Sequence, residues 1–360
     1  MANHNVVSGL IADMAASTKK MARAPQVFCT LSPAKTTVVY DTYWRFAVER
    51  QRIFFARLNG SQSPWTSDPI LGNFKFTNAY RASDRVSQYL IREVIYSGRR
   101  DPTDVFYRIM LFKLFNKIET WQLLEAFLGE LRWETYRYSD LDRVLSDAMQ
   151  AGVSIYSAAY IMASGHSLFG VERKHQSHLR LIEKMIDESV PQRLGECSSM
   201  RKGFELLRSY PLIGDFLGYQ LITDINYSEL TAFSEMEFTM PGPGAKDGIR
   251  KCFGSLGGLN EVDVIRLMAD RQEYEFERLN LDFKSLWGRR LQLIDIQNVF
   301  CEVDKYARVA HPEVGGISGR TRIKQKFRRT DERLDYFYPP KWGLTLPEPK
   351  AQTKRQAKLF

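Results

Sequence analysis

The chain has 360 residues, of which 44% are hydrophobic and 26% are charged, so it can bury a large core and is not an intrinsically disordered protein. Its 51 Lys and Arg residues outnumber its 42 Asp and Glu residues, and the resulting net charge of +9 favours a polyanionic partner such as nucleic acid. The four cysteines are spaced too widely for a zinc finger, and no apolar run reaches the roughly 20 residues of a membrane span. We therefore expect a globular protein of the cytoplasm, or of the nucleus in a eukaryote, that needs no metal or other cofactor and does not enter a membrane.

Helical patterns fill most of the chain. Residues 1–35 are rich in Ala, Ser and Met and predict a flexible N-terminal segment. Over residues 36–312 apolar residues recur at helical spacing and several segments end on Gly, which predicts an all-α domain of roughly nine to twelve helices. Residues 313–360 predict a basic C-terminal tail. Asp101 followed by Pro102 predicts the start of a helix that is apolar on nearly all sides and therefore central.

A row of polar side chains is predicted near residue 85. Ser83 can cap a helix here, and four side chains recur at helical spacing: Arg81, Arg85, Gln88 and Arg92. On one helix they would lie in a single line, which we call the arginine row. Such a line is typical of a solvated helix face, and it also suits a cleft that binds phosphate.

Two Pro- and Gly-rich turns each stand directly before a predicted helix. The first runs from Pro211 to Gly214, and the second is the sequence PGPG at residues 241–244. A Gly-rich turn that leads into a helix presents backbone N–H groups at the positive end of the helix dipole, and it can bind a nucleic-acid phosphate. The alternative is that these Pro and Gly residues only form the loop before each helix and bind nothing. The residues that this interpretation assigns to DNA binding are Gly214, Gly242, Gly244, Lys246 and Arg250.

The excess positive charge collects near the C-terminus. Six of the ten residues from 320 to 329 are basic, and we assign Arg320, Arg322 and Lys324 to DNA binding. A solubilising or localisation tail is the alternative. His175 and His178 are spaced so that they could share a metal ion, but the sequence places no third ligand, so we expect two surface or cleft histidines and predict no metal site.

Six ordered blocks carry a resemblance to a known family: NAYRASDRVSQYLIREVIY, FYRIMLFKLFNKIETW, KHQSHLRLIEKM, IGDFLGYQLITDINYS, EFTMPGPGAKDGIRKCF and IDIQNVFCEVDKYARVAHPE. Together they resemble the helical domain of the phage-type hydroxymethyldeoxyuridine DNA kinases. Related proteins are termed alpha-glutamyl/putrescinyl thymine pyrophosphorylases, or amino-acid:DNA transferases. The resemblance implies thymine hypermodification, in which hydroxymethyluracil in DNA is phosphorylated and the activated base then receives an amino acid or polyamine.

The resemblance also implies a fold like the helix-hairpin-helix DNA glycosylases, with the sequence IGDF as the hairpin that grips phosphate. A glycosylase would place a catalytic Asp well after that hairpin. Glu235 and Glu237 fall in that interval, while Asp224 is closer. Where a strand-cleaving glycosylase carries a Lys after the hairpin Gly, this chain has Asp215, which argues against Schiff-base chemistry.

The kinases of this family carry a nucleotide-binding domain with a phosphate loop of the GxxxxGK[ST] kind. Neither GPGAKDGIRK nor GGISGRTRIK has that spacing. The sequence therefore predicts no ATP-dependent kinase activity for this chain, which corresponds to the helical module with a basic tail. A separately encoded kinase would then be a partner.

The first of three candidate functions is an enzyme that transfers an amino acid or amine to a phosphorylated hydroxymethyl pyrimidine, on a base extruded from DNA. Its candidate catalytic residues are Asp224 or Glu237, as the base toward the amine, and Arg85, which with the rest of the arginine row would stabilise the leaving phosphate. Its candidate substrate-binding residues are Arg81, Gln88, Arg92, Gln220, Asp295, Asn298 and Asp304. For the last three of these, a buried helix cap or salt bridge is the alternative.

The second candidate is a non-catalytic module that recognises modified or flipped bases and works with a separate kinase. The third is a helix-hairpin-helix glycosylase, which needs one carboxylate and no phosphate pocket. The arginine row favours the first function over the third, because only a reaction that releases phosphate uses several guanidinium groups near the base.

Overall fold

The computed structural model describes residues 32–158, 163–329 and 335–346, and its helices confirm the predicted all-α class. Two short strands, β1 (Lys35–Thr36) and β2 (Phe253–Ser255), form one antiparallel pair. The predicted flexible N-terminal segment falls mostly on residues 1–31, which lie outside the described residues.

Fourteen α-helices occur in the described residues, more than predicted because several have only one turn. The helices of the first half are α1 (Val38–Leu58), α2 (Pro69–Asn73), α3 (Arg85–Tyr89), α4 (Pro102–Phe115), α5 (Ile118–Leu128), α6 (Tyr138–Gln150) and α7 (His166–Phe169). The helices of the second half are α8 (Lys174–Asp187), α9 (Val190–Gly195), α10 (Met200–Arg208), α11 (Asp215–Ile225), α12 (Pro243–Cys252), α13 (Glu261–Arg278) and α14 (Leu293–Ala310). No helix in these residues is both long enough and apolar enough to cross a membrane.

The centre of the fold is α4, as the sequence predicts. The Asp101 carboxylate accepts the backbone N–H groups of Thr103 and Asp104, and Pro102 occupies the first turn. Every residue from Asp104 to Phe115 is buried, and neighbours of α4 include α8, α9 and α11. The helix therefore places its few polar side chains inside the protein, where they need partners.

The closest helix pair is α12 with α14. A Cβ atom on Gly248 would lie 2.0 Å from the carbonyl oxygen of Phe300, so the two backbones approach to a distance that only glycine allows. The same close approach fixes α14 against the turn at residues 241–244. It sets the position of the polar residues at the start of α14.

The described part of the predicted basic tail packs against the helices. The Lys75 N–H donates to the carbonyl of Gln325 at 3.0 Å, and the Phe327 N–H donates to the carbonyl of Asn73 at 2.9 Å. Arg308, in the last turn of α14, donates to the carbonyl of Arg322 at 3.0 Å. Residues 322–327 are thus held along the body of the protein by hydrogen bonds to their backbone atoms.

Candidate functional site

The arginine row does not exist as predicted. Residues 81–83 form a single 3-10 turn, Asp84 is extended (φ −74°, ψ 148°), and α3 begins only at Arg85. Asp84 therefore stands at the cap position that was predicted for Ser83, and its carboxylate instead accepts the Asn78 N–H at 2.7 Å. Leu90–Ile95 is π-helical, which changes the angular spacing again.

The break at Asp84 separates the four side chains of the row. Arg81 and Gln88 are buried, whereas Arg85 and Arg92 are exposed. Arg85 lies 3.5 Å from an exposed carboxylate oxygen of Glu119, and Arg92 donates to the backbone at Asp335. One guanidinium group, not three, therefore points into the protein from this segment.

That buried guanidinium group belongs to a cluster of charges around Asp224. Arg81 Nη1 lies 2.7 Å from Asp224 Oδ1, and Lys113 Nζ lies 3.1 Å from Oδ2. Asp224 is 0% exposed. Burial alone would raise the pKa of Asp224, but the charges of Arg81 and Lys113 outweigh it and hold the pKa below its ordinary value. Asp224 is therefore an ionised carboxylate held between two cations.

Arg81 also donates hydrogen bonds to three polar groups other than Asp224. Its Nε donates to Gln220 Oε1 at 3.1 Å, its Nη1 donates to the Tyr227 hydroxyl at 3.0 Å, and its backbone N–H donates to Asp295 Oδ1 at 2.8 Å. Gln220 and Asp224 share one face of α11 because they are four residues apart. We call this set the Arg81 cluster: Arg81, Lys113, Gln220, Asp224, Tyr227 and Asp295.

The structure thus brings four of the predicted site residues together, which are Arg81, Gln220, Asp224 and Asp295. Lys113 and Tyr227 were missed, although Lys113 carried a signal. It is a charged residue inside a largely apolar, buried helix, and such a residue requires a buried partner.

Asp295 is the cluster's second carboxylate and the third residue of α14. Its Oδ2 accepts the Gln292 N–H at 3.0 Å, which completes a capping box. Burial raises the pKa of Asp295 to about 7, and the negative charge of Glu235 adds to the effect. The predicted alternative of a buried helix cap therefore describes this residue.

Replacing Asp295 with Asn is expected to change how stability depends on pH. The folded-state pKa of Asp295 lies above its unfolded value, so the wild-type protein loses the stabilising effect of this group as pH rises from about 4 to about 7. The variant has no such loss. Urea unfolding from pH 4 to 8 should show the free energy of unfolding of wild type falling by roughly 2–4 kcal/mol relative to that of Asp295→Asn as pH rises. A constant difference would mean that Asp295 is ionised in the fold.

Glu235 and Glu237 differ in the structure. Glu235 is 8% exposed and lies 2.7 Å from Arg289 Nη2, beside the Arg81 cluster. Glu237 is exposed, and its carbonyl accepts from Arg266. Of these two carboxylates, the buried neighbour of the cluster is therefore Glu235 and not the predicted Glu237.

A segment near the C-terminus covers one side of this region, and we call residues 335–346 the strap. The Trp342 ring lies 3.8 Å from the Arg289 guanidinium carbon and meets the Tyr227 ring edge-on at 5.7 Å. Lys341 donates to two backbone carbonyls just after α11, and the Tyr338 hydroxyl lies 2.7 Å from Ser83 Oγ. The strap also binds the predicted substrate residue Gln88, whose Oε1 accepts the Phe337 N–H.

Asn298 and Asp304 lie outside the cluster. Asn298 donates to the carbonyl of Asn78 at 2.9 Å, and Asp304 lies 3.0 Å from Lys251 Nζ and also pairs with Arg308. Asp304 follows Asp295 by nine residues, or about 14 Å along the helix axis. These two side chains hold elements together, as the salt-bridge alternative predicts.

The two glycine turns differ in how tightly they pack. A Cβ atom on Gly242 would lie 2.6 Å from the Phe216 ring, and one on Gly244 would lie 2.4 Å from Cys301 Sγ, so both glycines serve close packing. A Cβ atom on Gly214 would meet nothing within 4 Å. Lys246 is exposed, and Arg250 lies 3.1 Å from Glu261. Phosphate binding at these turns stays a prediction.

The predicted DNA-binding residues of the tail line a groove of about 640 Å³. Six cations contribute to its wall: Lys75, Lys305, Arg308, Arg320, Arg322 and Lys324. No carboxylate side chain lines it. We call it the basic groove, and its charge suits the phosphates of a polyanion.

The two predicted surface or cleft histidines are buried. His175 Nε2 lies 2.7 Å from Asp142, and His178 lies between the Tyr156 hydroxyl and the carbonyl of Ala163. The part of the chain that the structure describes holds no group of three or more side chains suited to a metal ion.

The family described as "5-hmdU DNA kinase, helical domain" matches residues 37–316 of this chain. A 5-hmdU DNA kinase of Bacillus phage SP10 is 26% identical over 327 residues, which are 85% of this chain and 51% of that protein. The chain therefore spans about half the length of this relative. No solved structure matches it. The predicted resemblance is confirmed: the chain belongs to the family of 5-hmdU DNA kinase helical domains.

Proposed function

We propose that this chain acts on DNA in hydroxymethyluracil modification, and that it transfers an amino acid or amine to a phosphorylated hydroxymethyl pyrimidine. Family membership and the similarity to a phage 5-hmdU DNA kinase support the choice of DNA and base. The basic groove supports contact with the DNA backbone, since six cations and no carboxylate line it.

The observation that carries the transfer step is the pair of buried cations around Asp224. A leaving phosphate needs positive charge where its own negative charge develops, and Arg81 and Lys113 already converge on one carboxylate. In the resting protein Asp224 is their counter-ion, and in the reaction the phosphate takes that place. Gln220 accepts a hydrogen bond from Arg81 and so helps to orient the guanidinium group.

The reaction balances without a further reactant. The amine nitrogen attacks the methylene carbon that carries the phosphate, and a C–N bond forms while the C–O bond breaks. The phosphate leaves with the electron pair of that bond. The attacking form is the neutral amine, so an ammonium group first gives one proton to solvent. After the C–N bond forms, the nitrogen gives up a second proton to Asp224, which the phosphate has displaced from its cations.

The base can reach the Arg81 cluster only if the strap moves. Trp342 stacks on Arg289 and touches Tyr227, so an extruded pyrimidine would take the place of this indole ring. Moving the strap breaks its hydrogen bonds, such as those of Lys341 and Tyr338, and removes the contacts of its aromatic rings with the body of the protein.

A second candidate is a non-catalytic module that recognises modified bases and works with a separate kinase. The observation that favours it is that Asp224 is 0% exposed and has both oxygens in ion pairs. A carboxylate that stays in this state cannot accept a proton from a substrate.

The test is to incubate the protein with duplex DNA that contains phosphorylated hydroxymethyluracil, together with amino acids or amines, and to analyse the nucleosides by mass spectrometry. We expect a nucleoside with the mass of the amine adduct, and none from unphosphorylated hydroxymethyluracil. Arg81→Gln should lower the rate about 100-fold or more, because it removes a cation from the leaving group. Tyr227→Phe, which removes one hydroxyl, should lower it less.

Arg85→Gln is the matched control, because this guanidinium group is exposed and should leave the rate unchanged. Thermal unfolding of each variant shows whether its fold is intact. Tight, salt-sensitive DNA binding with no adduct from any amine would overturn the transfer and favour the recognition module.

A further inference from the structure

A second cavity opens beside the Arg81 cluster, between the start of α4, the helix α9 and the loop after α11. Its volume is about 210 Å³. Most of its wall is apolar and comes from Ile95, Pro102, Val105, Pro191 and Leu230. We call it the Tyr96 cleft, because the Tyr96 ring forms the wall that carries its polar groups.

Two opposite charges lie beside Tyr96, one at its hydroxyl and one near its ring. The Tyr96 hydroxyl lies 2.9 Å from Glu229 Oε1, and the Arg100 guanidinium carbon lies 5.8 Å from the centroid of the Tyr96 ring. Both charged residues line the cleft and are exposed. In the described part of the chain, neither forms an ion pair within 4 Å. The cleft therefore offers one anion and one cation to a ligand.

A ligand that satisfies both charges must carry both charges itself. The α-carboxylate of a free amino acid can bind the guanidinium group of Arg100, and its ammonium can bind Glu229. A diamine has no group for Arg100 and would be repelled by it. The cleft volume of about 210 Å³ suits a small ligand, such as an amino acid with a short apolar side chain.

We propose that the Tyr96 cleft binds a free α-amino acid with a small apolar side chain. The assignment rests on the proposed transfer reaction, for which it names the nucleophile as an amino acid and not a diamine.

Tyr96 can give up its hydrogen bond to Glu229 when such a ligand binds. Its hydroxyl lies 2.9 Å from Glu229 and also 2.9 Å from the carbonyl oxygen of Tyr227, and it can donate its proton to only one of them at a time. When an ammonium group takes Glu229, the hydroxyl keeps a hydrogen bond to Tyr227. Ligand binding therefore leaves no buried donor unsatisfied.

Tyr227 also links the cleft to the reaction centre. Its carbonyl faces the Tyr96 hydroxyl at the edge of the cleft, while its own hydroxyl accepts a hydrogen bond from Arg81. One residue thus separates the two sites. An amino acid in the cleft would therefore lie one residue away from the cations that bind the leaving phosphate.

The test measures binding of free amino acids to the full chain without DNA, by calorimetry and by ligand-observed NMR. The probes are L-alanine, L-valine, L-valine amide, N-acetyl-L-valine and 1,4-diaminobutane. We expect the first two to bind with a Kd of about 1 mM or tighter, and the other three, each lacking one charge of the pair, at least tenfold more weakly.

Arg100→Gln and Glu229→Gln should each weaken L-valine binding at least tenfold. Glu229→Gln keeps the shape of the side chain and Arg100→Gln shortens one, and both positions are exposed, so the fold should survive, which thermal unfolding checks. Arg99→Gln is the matched control, because Arg99 is the exposed neighbour that pairs with Glu134 and does not line the cleft. No binding of either amino acid at about 20 mM, or equal binding by both cleft variants and wild type, overturns the proposal.

This test is independent of the transfer reaction. Amino acid binding that depends on Arg100 and Glu229, without any DNA adduct, would support the cleft and overturn the transfer. Adduct formation with an unchanged KM for the amino acid in both cleft variants would support the transfer and overturn the cleft.

Discussion

Replacing Asp224 with Ala is expected to lower the free energy of unfolding by about 3–5 kcal/mol. The substitution leaves the guanidinium group of Arg81 and the ammonium group of Lys113 buried together without the carboxylate that lies between them. Two like charges in a desolvated site repel each other, and neither can recover its hydration. Urea unfolding at pH 7 measures the loss.

A second substitution separates this effect from the loss of Asp224 packing. The double variant Asp224→Ala, Lys113→Met removes one of the two unpaired cations, so it should be more stable than Asp224→Ala alone. Asp215→Ala is the control on the same helix, because its exposed pair with Arg208 is worth at most about 1 kcal/mol. A stability of Asp224→Ala within about 1 kcal/mol of wild type would contradict the buried ion pairs and leave Asp224 free for chemistry.

Local patterns in the sequence predicted the helices and part of the cluster. Asp101 and Pro102 identify the start of α4 because capping depends on neighbouring residues only. Gln220 and Asp224 share a face of α11 because helical spacing is regular there. Wherever the chain is a continuous α-helix, a spacing of four residues predicts a shared face.

The arginine row failed because the chain there is not one continuous α-helix. Asp84 is extended, and its carboxylate bonds to the Asn78 N–H, which lies outside the helix. Arg81 is held inward by Asp224 and Asp295, both far along the chain. Pairings between distant segments have no local signature, so the sequence could not place Arg81 inside and Arg85 outside.

The packing of the strap was not predicted from the sequence for a related reason. Net charge dominates the C-terminal region and predicted a basic tail, but the strap is rich in aromatic side chains. Tyr336 stacks on Tyr338, and Tyr338 stacks on Trp342. Aromatic rings at this density bury large areas, so such a segment packs against the body of a protein even when its flanks are charged. The aromatic content of the strap was visible in the sequence. The place where the strap packs, on Arg289 and Tyr227, was not.

The basic groove gives the prediction with the largest expected effect on DNA binding. The triple variant Arg320→Ala, Arg322→Ala, Lys324→Ala should weaken duplex DNA binding about 100-fold near 0.1 M salt, because each lost phosphate contact no longer releases a counterion. For the same reason the slope of log affinity against log salt should become shallower by about 2 to 3. Fluorescence anisotropy with labelled duplex DNA over a range of salt concentrations measures both quantities.

The matched control removes three exposed basic side chains from other helices: Arg45→Ala, Arg143→Ala and Lys184→Ala. It changes the net charge by the same amount, so an effect of overall charge would appear in both triple variants. An effect of groove geometry would appear only in the first. Residues 325 and 327 are tied by backbone hydrogen bonds to residues 73–75, and the carbonyl of Arg322 accepts from the Arg308 side chain on α14, so side-chain removal should leave the groove's backbone in place. Equal losses of DNA affinity in the two triple variants would mean that binding depends on the net charge of the protein and not on this groove.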